Sequence, residues 1–237
     1  MASQYLTREL VEAIGGKIVR GDVEAGGSLP IEAELAKEYE TSRTVMREAI
    51  KMLTAKGLVG SRPRRGTYVE PESKWNILDP DVLRWTLQRR FSFSLMRDFL
   101  MVREGIEPKA AAMAATVQDH AAIARIEQKL ADMREAAHGH IDPLEPDIAF
   151  HVAILHASGN RFFIQFSHVI ETALRFSIRL TNSEKGVRMA SVDDHELIFR
   201  AIERGDAEAA ESAAQSLLKE AIRLLDERAR KQEAEGD

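Results

Sequence analysis

The tightest constraint on this chain lies between residues 28 and 69, where helically spaced apolar positions give way to β-branched pieces. In SLPIEAELAKEYETSRTVMREAIKMLTAKGLVGSRPRRGTYV, Pro30 suits the first turn of a helix running to about Tyr39, with Glu32 and Glu34 enriching its start. Thr41 or Ser42 caps a second helix, about Arg43 to Lys56, whose Val45, Ala49, Met52 and Leu53 face inward. Gly57 ends it, because a glycine just past a helix turns left-handed without steric penalty. Leu58-Val59 and Thr67-Tyr68-Val69 then flank SRPRRG, which predicts two short strands joined by a basic turn. Ahead of this block, Leu6, Leu10, Ile14 and Ile18 recur every four residues and predict a helix over 6–20, broken by GDVEAGGS.

Helix, turn, capped helix and basic hairpin in that order describe a winged helix-turn-helix. Such a motif sets its second helix in the major groove of double-stranded DNA, with the first turns nearest the base edges. Those turns carry Ser42, Arg43, Thr44 and Arg47, and the two arginines, four apart, share a face. Arginine can bond guanine in bidentate fashion, while hydroxyls suit phosphate. Arg62, Arg64 and Arg65 on the wing would reach the flanking backbone or minor groove, and Gly66 permits close approach. A net charge of −5 does not oppose this reading, because it is unevenly spread. Residues 41–66 hold seven basic groups against one acid, whereas residues 76–237 hold 21 basic and 27 acidic groups. DNA affinity follows the local footprint, since it is there that side chains replace counterions on phosphates.

The fold class is mainly α, in two domains. Residues 1–75 form the winged helix-turn-helix, 76–93 a linker with a short helix after Asp79-Pro80, and 94–237 an all-helical domain. The last comprises helices over roughly 94–115, 119–138, 142–157, 160–182, 188–204 and 207–230, with no strand signal after residue 70. There is no cysteine, so disulfide frameworks and cysteine-based zinc sites are excluded. No apolar run approaches the roughly 20 residues of a membrane span, and the N-terminal residues lack a signal-peptide layout, so a cytoplasmic protein is expected.

Three features of the helical half suggest a pocket for a metal or small molecule. Asp147 and His151 are four apart on one helix, so both can reach one ion. His195 stands near the start of a later helix in DDHELIF. Arg103 sits in an otherwise apolar helix, where it could bind a carboxylate or equally pair with Glu104 or Glu107. A metal-dependent enzyme built on Asp147, His151 and His195 is the remote alternative. It would need a general base and an oxyanion stabiliser, and no such convergent set is found.

The stretch SLPIEAELAKEYETSRTVMREAIKMLTAKGLV with RRGTYV resembles the winged helix-turn-helix of GntR-type regulators, and residues 94–230 resemble the FCD sensor domain of their FadR subfamily. The resemblance implies that Arg43 and Arg47 contact DNA and that a homodimer binds a near-palindromic operator. Many members have Arg where this chain has Ala33, so a contact from the first helix of the motif is expected to be missing. It further implies a divalent metal, zinc foremost, on an Asp and three His. DIAFH supplies Asp147 and His151, and DDHELIFRAIERGD supplies His195, but Leu217 stands where the third His is expected. KWNILDPDVLRW, Ala33 and the missing His are similar to the galactonate operon repressor group, which implies a sugar-acid effector that releases the operator. On that likeness the acid would meet Arg103, Asp147, His151, Asn160, Ser191, His195 and Arg223, although Asn160 equally suits a helix cap. Another carboxylate, such as a 2-hydroxy acid, or an acyl thioester is the alternative effector.

Overall fold

The computed structural model describes residues 2–63, 66–89, 92–138, 142–185 and 191–235. They fall into two compact units, Met1–Phe91 and Ser92–Asp237. In the first, α1 (Ala2–Arg20), α2 (Glu32–Glu38) and α3 (Arg43–Ala55) are followed by a hairpin of β1 (Val59–Arg62) and β2 (Gly66–Val69). Leu10, Ile14 and Ile18 of α1 meet Leu35 of α2, Met46 and Leu53 of α3, and Val59 and Val69 of the hairpin in one buried cluster. Pro30 lies ahead of α2 and not in its first turn, because Ile31 holds the cap position with an extended backbone. Ser42 caps α3 by accepting a hydrogen bond from the Val45 amide at 3.3 Å, satisfying an amide the helix itself leaves unpaired. Gly57 has φ of +74°, and a Cβ there would stand 2.3 Å from the Lys74 carbonyl oxygen, so no side chain fits.

The antiparallel register runs from Val59 opposite Val69 to Arg62 opposite Gly66. GDVEAGGS is more than a breaker. The amides of Gly26 and Leu29 donate to the carbonyls of Val69 and Thr67 at 2.8 and 2.9 Å, so this segment lies along β2 as a third edge.

Of the segment expected to be a linker, residues 76–91 fall in the first unit, while Ser92 and Phe93 open the second. Asp79 caps α4 (Pro80–Arg89) by accepting from the amides of Asp81 and Val82 at 3.0 and 3.2 Å. Val82 and Trp85 join the same core, and the Trp85 ring occupies the space a Cβ on Gly15 would need, 2.5 Å away. Trp85 Nε1 donates to Glu12 at 2.9 Å, and Arg84 spans both Glu12 oxygens at 3.0 and 2.6 Å. Lys56, at the C-cap of α3, is buried and donates to Asp79 and Asp81 at 2.8 Å each.

The second unit consists, among the described residues, of six helices: α5 (Phe93–Val117), α6 (His120–Ala137), α7 (Leu144–Ala157), α8 (Arg161–Lys185), α9 (Val192–Glu203) and α10 (Ala207–Glu235). The order is the expected one, although α8 continues to Lys185, through the TNSEK stretch read as a break. Thr181, Asn182 and Ser183 are weak helix formers, but Glu184 and Lys185 are good ones, and none of the five is a Gly or Pro that would stop a helix already formed. The second half of α5 runs past Pro108, which withholds one backbone hydrogen bond, because Glu107, Pro108, Ala110 and Ala111 are all buried in packing. α7 is buried on nearly every side and packs against α5, α6 and α8, while α10 packs against α5, α8 and α9. No helix of the described residues is long and apolar enough to cross a membrane.

Candidate functional site

The first unit presents its polar groups outward. Ser42, Arg43, Thr44 and Arg47 are all exposed on the opening turns of α3, opposite the buried Val45, Met46, Ala49 and Ile50. Arg47 is held by Glu32 of α2, Nε to Oε2 at 3.0 Å, whereas Arg43 makes no ion pair among the described residues. Arg62 is exposed and stacks over the Tyr68 ring at 4.7 Å. Gly66 has φ of +77°, and nothing lies within 4 Å of its missing Cβ. Arg64 and Arg65 lie outside the described residues. Lys56, counted in the basic stretch, points inward to Asp79 and Asp81 and leaves the footprint. Both of its acidic partners lie beyond the basic stretch, more than twenty residues on.

The second unit does the opposite and buries its polar groups. Buried positions on α5 include Met96, Phe99, Leu100, Ala110, Ala111 and Ala114, with Arg103 and Glu107 between them in the middle of the inward stripe. On α7, Asp147 and His151 fall in register with Leu144, Ile148, Ile154 and Leu155. On α9, His195 aligns with Ile198, Phe199 and Ile202. These three helices bring Arg103, Glu107, Asp147, His151 and His195 together, each at most 5% exposed. Arg103, Asp147, His151 and His195 line a cavity of about 50 Å³ together with Ile178 and Asn182 of α8 and Leu217, Leu218, Ala221 and Leu224 of α10.

Asp147, His151 and His195 each offer one ligand atom within 4.8 Å of the others. His151 Nε2 and His195 Nε2 face Asp147 Oδ1 at 3.3 and 3.5 Å, without hydrogen-bond geometry. Both Asp147 oxygens and His195 Nε2 are therefore buried with no partner. Orphaned polar atoms of this kind are costly in a protein interior. Their convergence is the arrangement a divalent cation would satisfy. His195 Nδ1 lies 2.7 Å from the Ser191 carbonyl, which can only accept, so Nδ1 carries the proton and Nε2 a lone pair. The Phe150 ring meets His195 edge-on at 5.1 Å and fixes its plane.

Behind His151 lies a second row. Arg103 donates to both Glu107 oxygens, from Nε at 2.6 Å and Nη2 at 3.1 Å. Glu107 Oε2 is also 2.9 Å from His151 Nδ1. Burial opposes ionisation of Glu107, but the Arg103 and His151 charges outweigh it and hold its pKa at about 2. Burial likewise opposes a charged Asp147, and the two imidazoles beside it reverse the balance and push it well below the usual carboxylate range. For His151 burial favours the neutral ring, yet Glu107 and Asp147 on its two sides raise its proton affinity above the ordinary value. A proton or a cation between His151 and Asp147 thus answers the same electrostatic demand.

The remaining residues expected to meet an effector are placed elsewhere. Asn160 caps α8, its Oδ1 accepting from the amides of Phe162 and Phe163 at 2.9 and 3.4 Å. The Ser191 hydroxyl caps α9 through the Asp194 amide at 3.3 Å, so Ser191 serves the cluster only through its carbonyl. Arg223 is exposed and engaged by Glu220 and Glu227 on its own helix. Leu217, Ala221 and Leu224 share the face of α10 that lines the cavity, and Arg223 projects from the neighbouring face. Glu107 was legible only as one of two alternative partners of Arg103. Its position in the inward stripe, four residues on, was the signal that could have singled it out.

An exposed basic helix with a wing, joined in one chain to a helical bundle around a polar cavity, defines a DNA-binding regulator. Residues 6–69 match the bacterial regulatory proteins of the gntR family, and residues 98–220 match the FCD domain. The chain belongs to the gntR family of transcriptional regulators, in its FCD-bearing form. The uncharacterized HTH-type transcriptional regulator YieP of Escherichia coli (strain K12) is 34% identical over 220 residues, 92% of this chain and 94% of that protein. The galactonate operon transcriptional repressor of the same strain is 34% identical over 228 residues, 93% of this chain and 97% of that protein. Among solved structures, Lar of Listeria monocytogenes shares the fold at a TM-score of 0.57 and 18% identity, covering 95% of this chain and 96% of that one.

Proposed function

We propose that this regulator represses genes for the uptake or catabolism of a sugar acid of the aldonate type and leaves its operator when the acid binds. The likeness to the galactonate operon repressor supports the effector class. The observation that carries the reading is the buried Asp147, His151 and His195 set lining a cavity in the FCD domain, with both Asp147 oxygens and His195 Nε2 unpartnered. Arg43 and Arg47 would read base edges or phosphates, Ser42 and Thr44 would take phosphates, and Arg62, Arg64, Arg65 and Gly66 would follow the flanking groove. A homodimer would meet two half-sites about one helical turn apart or less.

Within the cavity Asp147, His151 and His195 would hold a divalent cation, zinc foremost, since two imidazoles and a carboxylate are a common three-ligand set. Such an ion, when bound, supplies fixed positive charge and open positions suited to carboxylate and hydroxyl oxygens. Leu217 adds no donor on its side of the cavity, so part of the coordination is left to water or effector. Arg103 uses Nε and Nη2 on Glu107, which leaves Nη1 for an effector carboxylate. The acid moves the operator equilibrium only as far as its affinities for the two protein forms differ.

The cavity's size favours a second effector within the same regulator. A water needs about 10–15 Å³, so about 50 Å³ holds about three to five water-sized groups. That matches a short 2-hydroxy acid more closely than a six-carbon acid, which would extend through the mouth. Thermal stability and operator gel shifts, measured with galactonate, gluconate, a uronate, lactate and neutral galactose, separate the readings. Release by hexonates alone supports the first and release by lactate the second. If no acid changed either measurement, both would fail.

A further inference from the structure

The cavity is served by a charged row that takes no part in the scheme above beyond occupying Arg103. We infer that Glu107, anchored by Arg103, is a positioning residue that sets His151 with Nε2 as a bare donor atom facing Asp147 and His195. The inference rests on the cation reading of the same site.

The geometry runs in one direction. Arg103 and Glu107 are one helical turn apart on the inward stripe of α5, and two parallel hydrogen bonds leave the carboxylate one orientation. Glu107 Oε2 then reaches His151 Nδ1 on α7 at 2.9 Å. An ionised carboxylate can only accept, so the proton of a neutral His151 ring resides on Nδ1. Nε2 is left with a lone pair, 3.3 Å from Asp147 Oδ1 and without a hydrogen bond to it. In the opposite tautomer Nε2–H would face Asp147 as a donor, and the position between them would be closed to a cation. Glu107 thus decides whether His151 is a ligand or a hydrogen-bond donor. On the other side of the cluster, the Ser191 carbonyl does the same for His195 at 2.7 Å. Two histidines from separate helices present the same nitrogen to one point, each held from behind by an acceptor it cannot swap. Carboxylate partners behind metal-bound imidazoles act in this way in general, orienting the ring and raising its basicity.

The test is a zinc titration of the full-length protein against a chromophoric chelator, comparing wild type, Glu107→Gln and the double variant Arg103→Met/Glu107→Gln. Zinc binding is expected to weaken about 10- to 100-fold in both variants, the usual consequence of losing such a partner. Glu107→Gln strands the Arg103 charge in the interior. Should it lose its fold, the double variant removes both charges together and supports the same comparison. Nitrogen-15 NMR of zinc-loaded wild type supplies a readout that needs no variant, and His151 is expected to bind through Nε2 with Nδ1 protonated. Affinities of the variants within threefold of wild type, or ligation through Nδ1, would overturn the positioning role while leaving the cation site intact. Wild type that takes up no zinc would overturn the cation reading itself, and this inference with it.

Discussion

The two units of the chain handle charge in opposite ways. In the first, Arg43, Arg47 and Arg62 stand in solvent, and the buried described residues are apolar or small apart from Thr7 and Lys56. In the second, Arg103, Glu107, Asp147, His151 and His195 are taken into the core, and the surface pairs around them, such as Arg223 with Glu220, are ordinary ones. A surface that binds a polyanion needs its cations hydrated and exchangeable, since affinity comes from displacing counterions. A site that grips a small ion or acid needs its groups desolvated and fixed, because only there is each contact strong and selective. Exposed charges can therefore be lost singly at little cost to the fold, and buried ones cannot.

The largest expected effect breaks the buried side of that comparison. Arg103→Met leaves Glu107 ionised in the core without its cation, and removing one partner of a buried pair costs about 3–5 kcal/mol. Arg47→Ala, which breaks the exposed pair with Glu32, is expected to cost about 0–1 kcal/mol. Denaturant unfolding followed by hydrogen exchange checks both, with protection lost in α5 and α7 of the first variant and retained in α1 and α3. Equal stability losses in the two variants would erase the distinction between the units.

The next effect sharpens the exposed side. Arg43→Ala should weaken operator binding by about 1–3 kcal/mol, the range for one good base contact, with unfolding stability unchanged. Arg47→Ala should cost less in DNA binding, because Glu32 already competes for its guanidinium. Fluorescence anisotropy with a labelled operator resolves the order, and a larger loss for Arg47 than for Arg43 would reverse their roles.

The same contrast explains what could be read from the chain. In the first unit the cap at Ser42, the stop at Gly57 and the exposed arginines follow from spacings of a few residues. What escaped there is long-range. Trp85 folds onto Gly15 and Lys56 turns to Asp79, contacts between positions 70 and 23 residues apart, so a segment with linker-like composition is part of the core. In the second unit Asp147 and His151 were legible as a pair on one helix turn and His195 as a candidate on a later helix, joined to them through resemblance. Glu107 remained one alternative because its meeting with His151 depends on how α5 and α7 pack, which periodicity does not specify. Asn160 and Arg223 each have a local use, a cap on α8 and ion pairs along α10, and such uses at helix ends and charged faces compete with any ligand role read from sequence.

A third prediction probes the seam between recognition and stability. Ser42 both caps α3 and stands on the face offered to DNA. Ser42→Ala should cost about 1 kcal/mol of stability through the lost cap, while Ser42→Asp, which caps equally well, should keep stability and weaken DNA binding by charge repulsion. Thermal unfolding and anisotropy on the two variants separate the effects. If Ser42→Asp bound operator as well as wild type, Ser42 would be a cap and nothing more.

The smallest effect concerns pH and sits where the first unit does bury charge. Desolvation works against an ionised Asp81, but Lys56 and Arg84 outweigh it and lower its pKa below 3.8. Arg84 lowers Glu12 below 4.5. Stability from groups shifted in this direction is present above their ordinary values and is lost as pH falls through the lowered ones. Burial opposes the charge on Lys56 while Asp79 and Asp81 raise its pKa above 10.5, so its share is present below that value and is lost only as pH rises through the raised one. The unit should therefore be insensitive to pH across the neutral range through these groups and weaken in acid below about the ordinary carboxylate values. Half-exposed pairs such as Glu12 with Arg84 contribute about 0–1 kcal/mol, so the acid loss should be shallow. Arg84→Met should flatten it further, removing the cation that both carboxylates share. Thermal unfolding of wild type and Arg84→Met, each at neutral pH and below 3.8, measures the difference. An acid-induced loss as steep in Arg84→Met as in wild type would place the pH dependence in the buried row of the other unit, where Glu107 also titrates below its ordinary range.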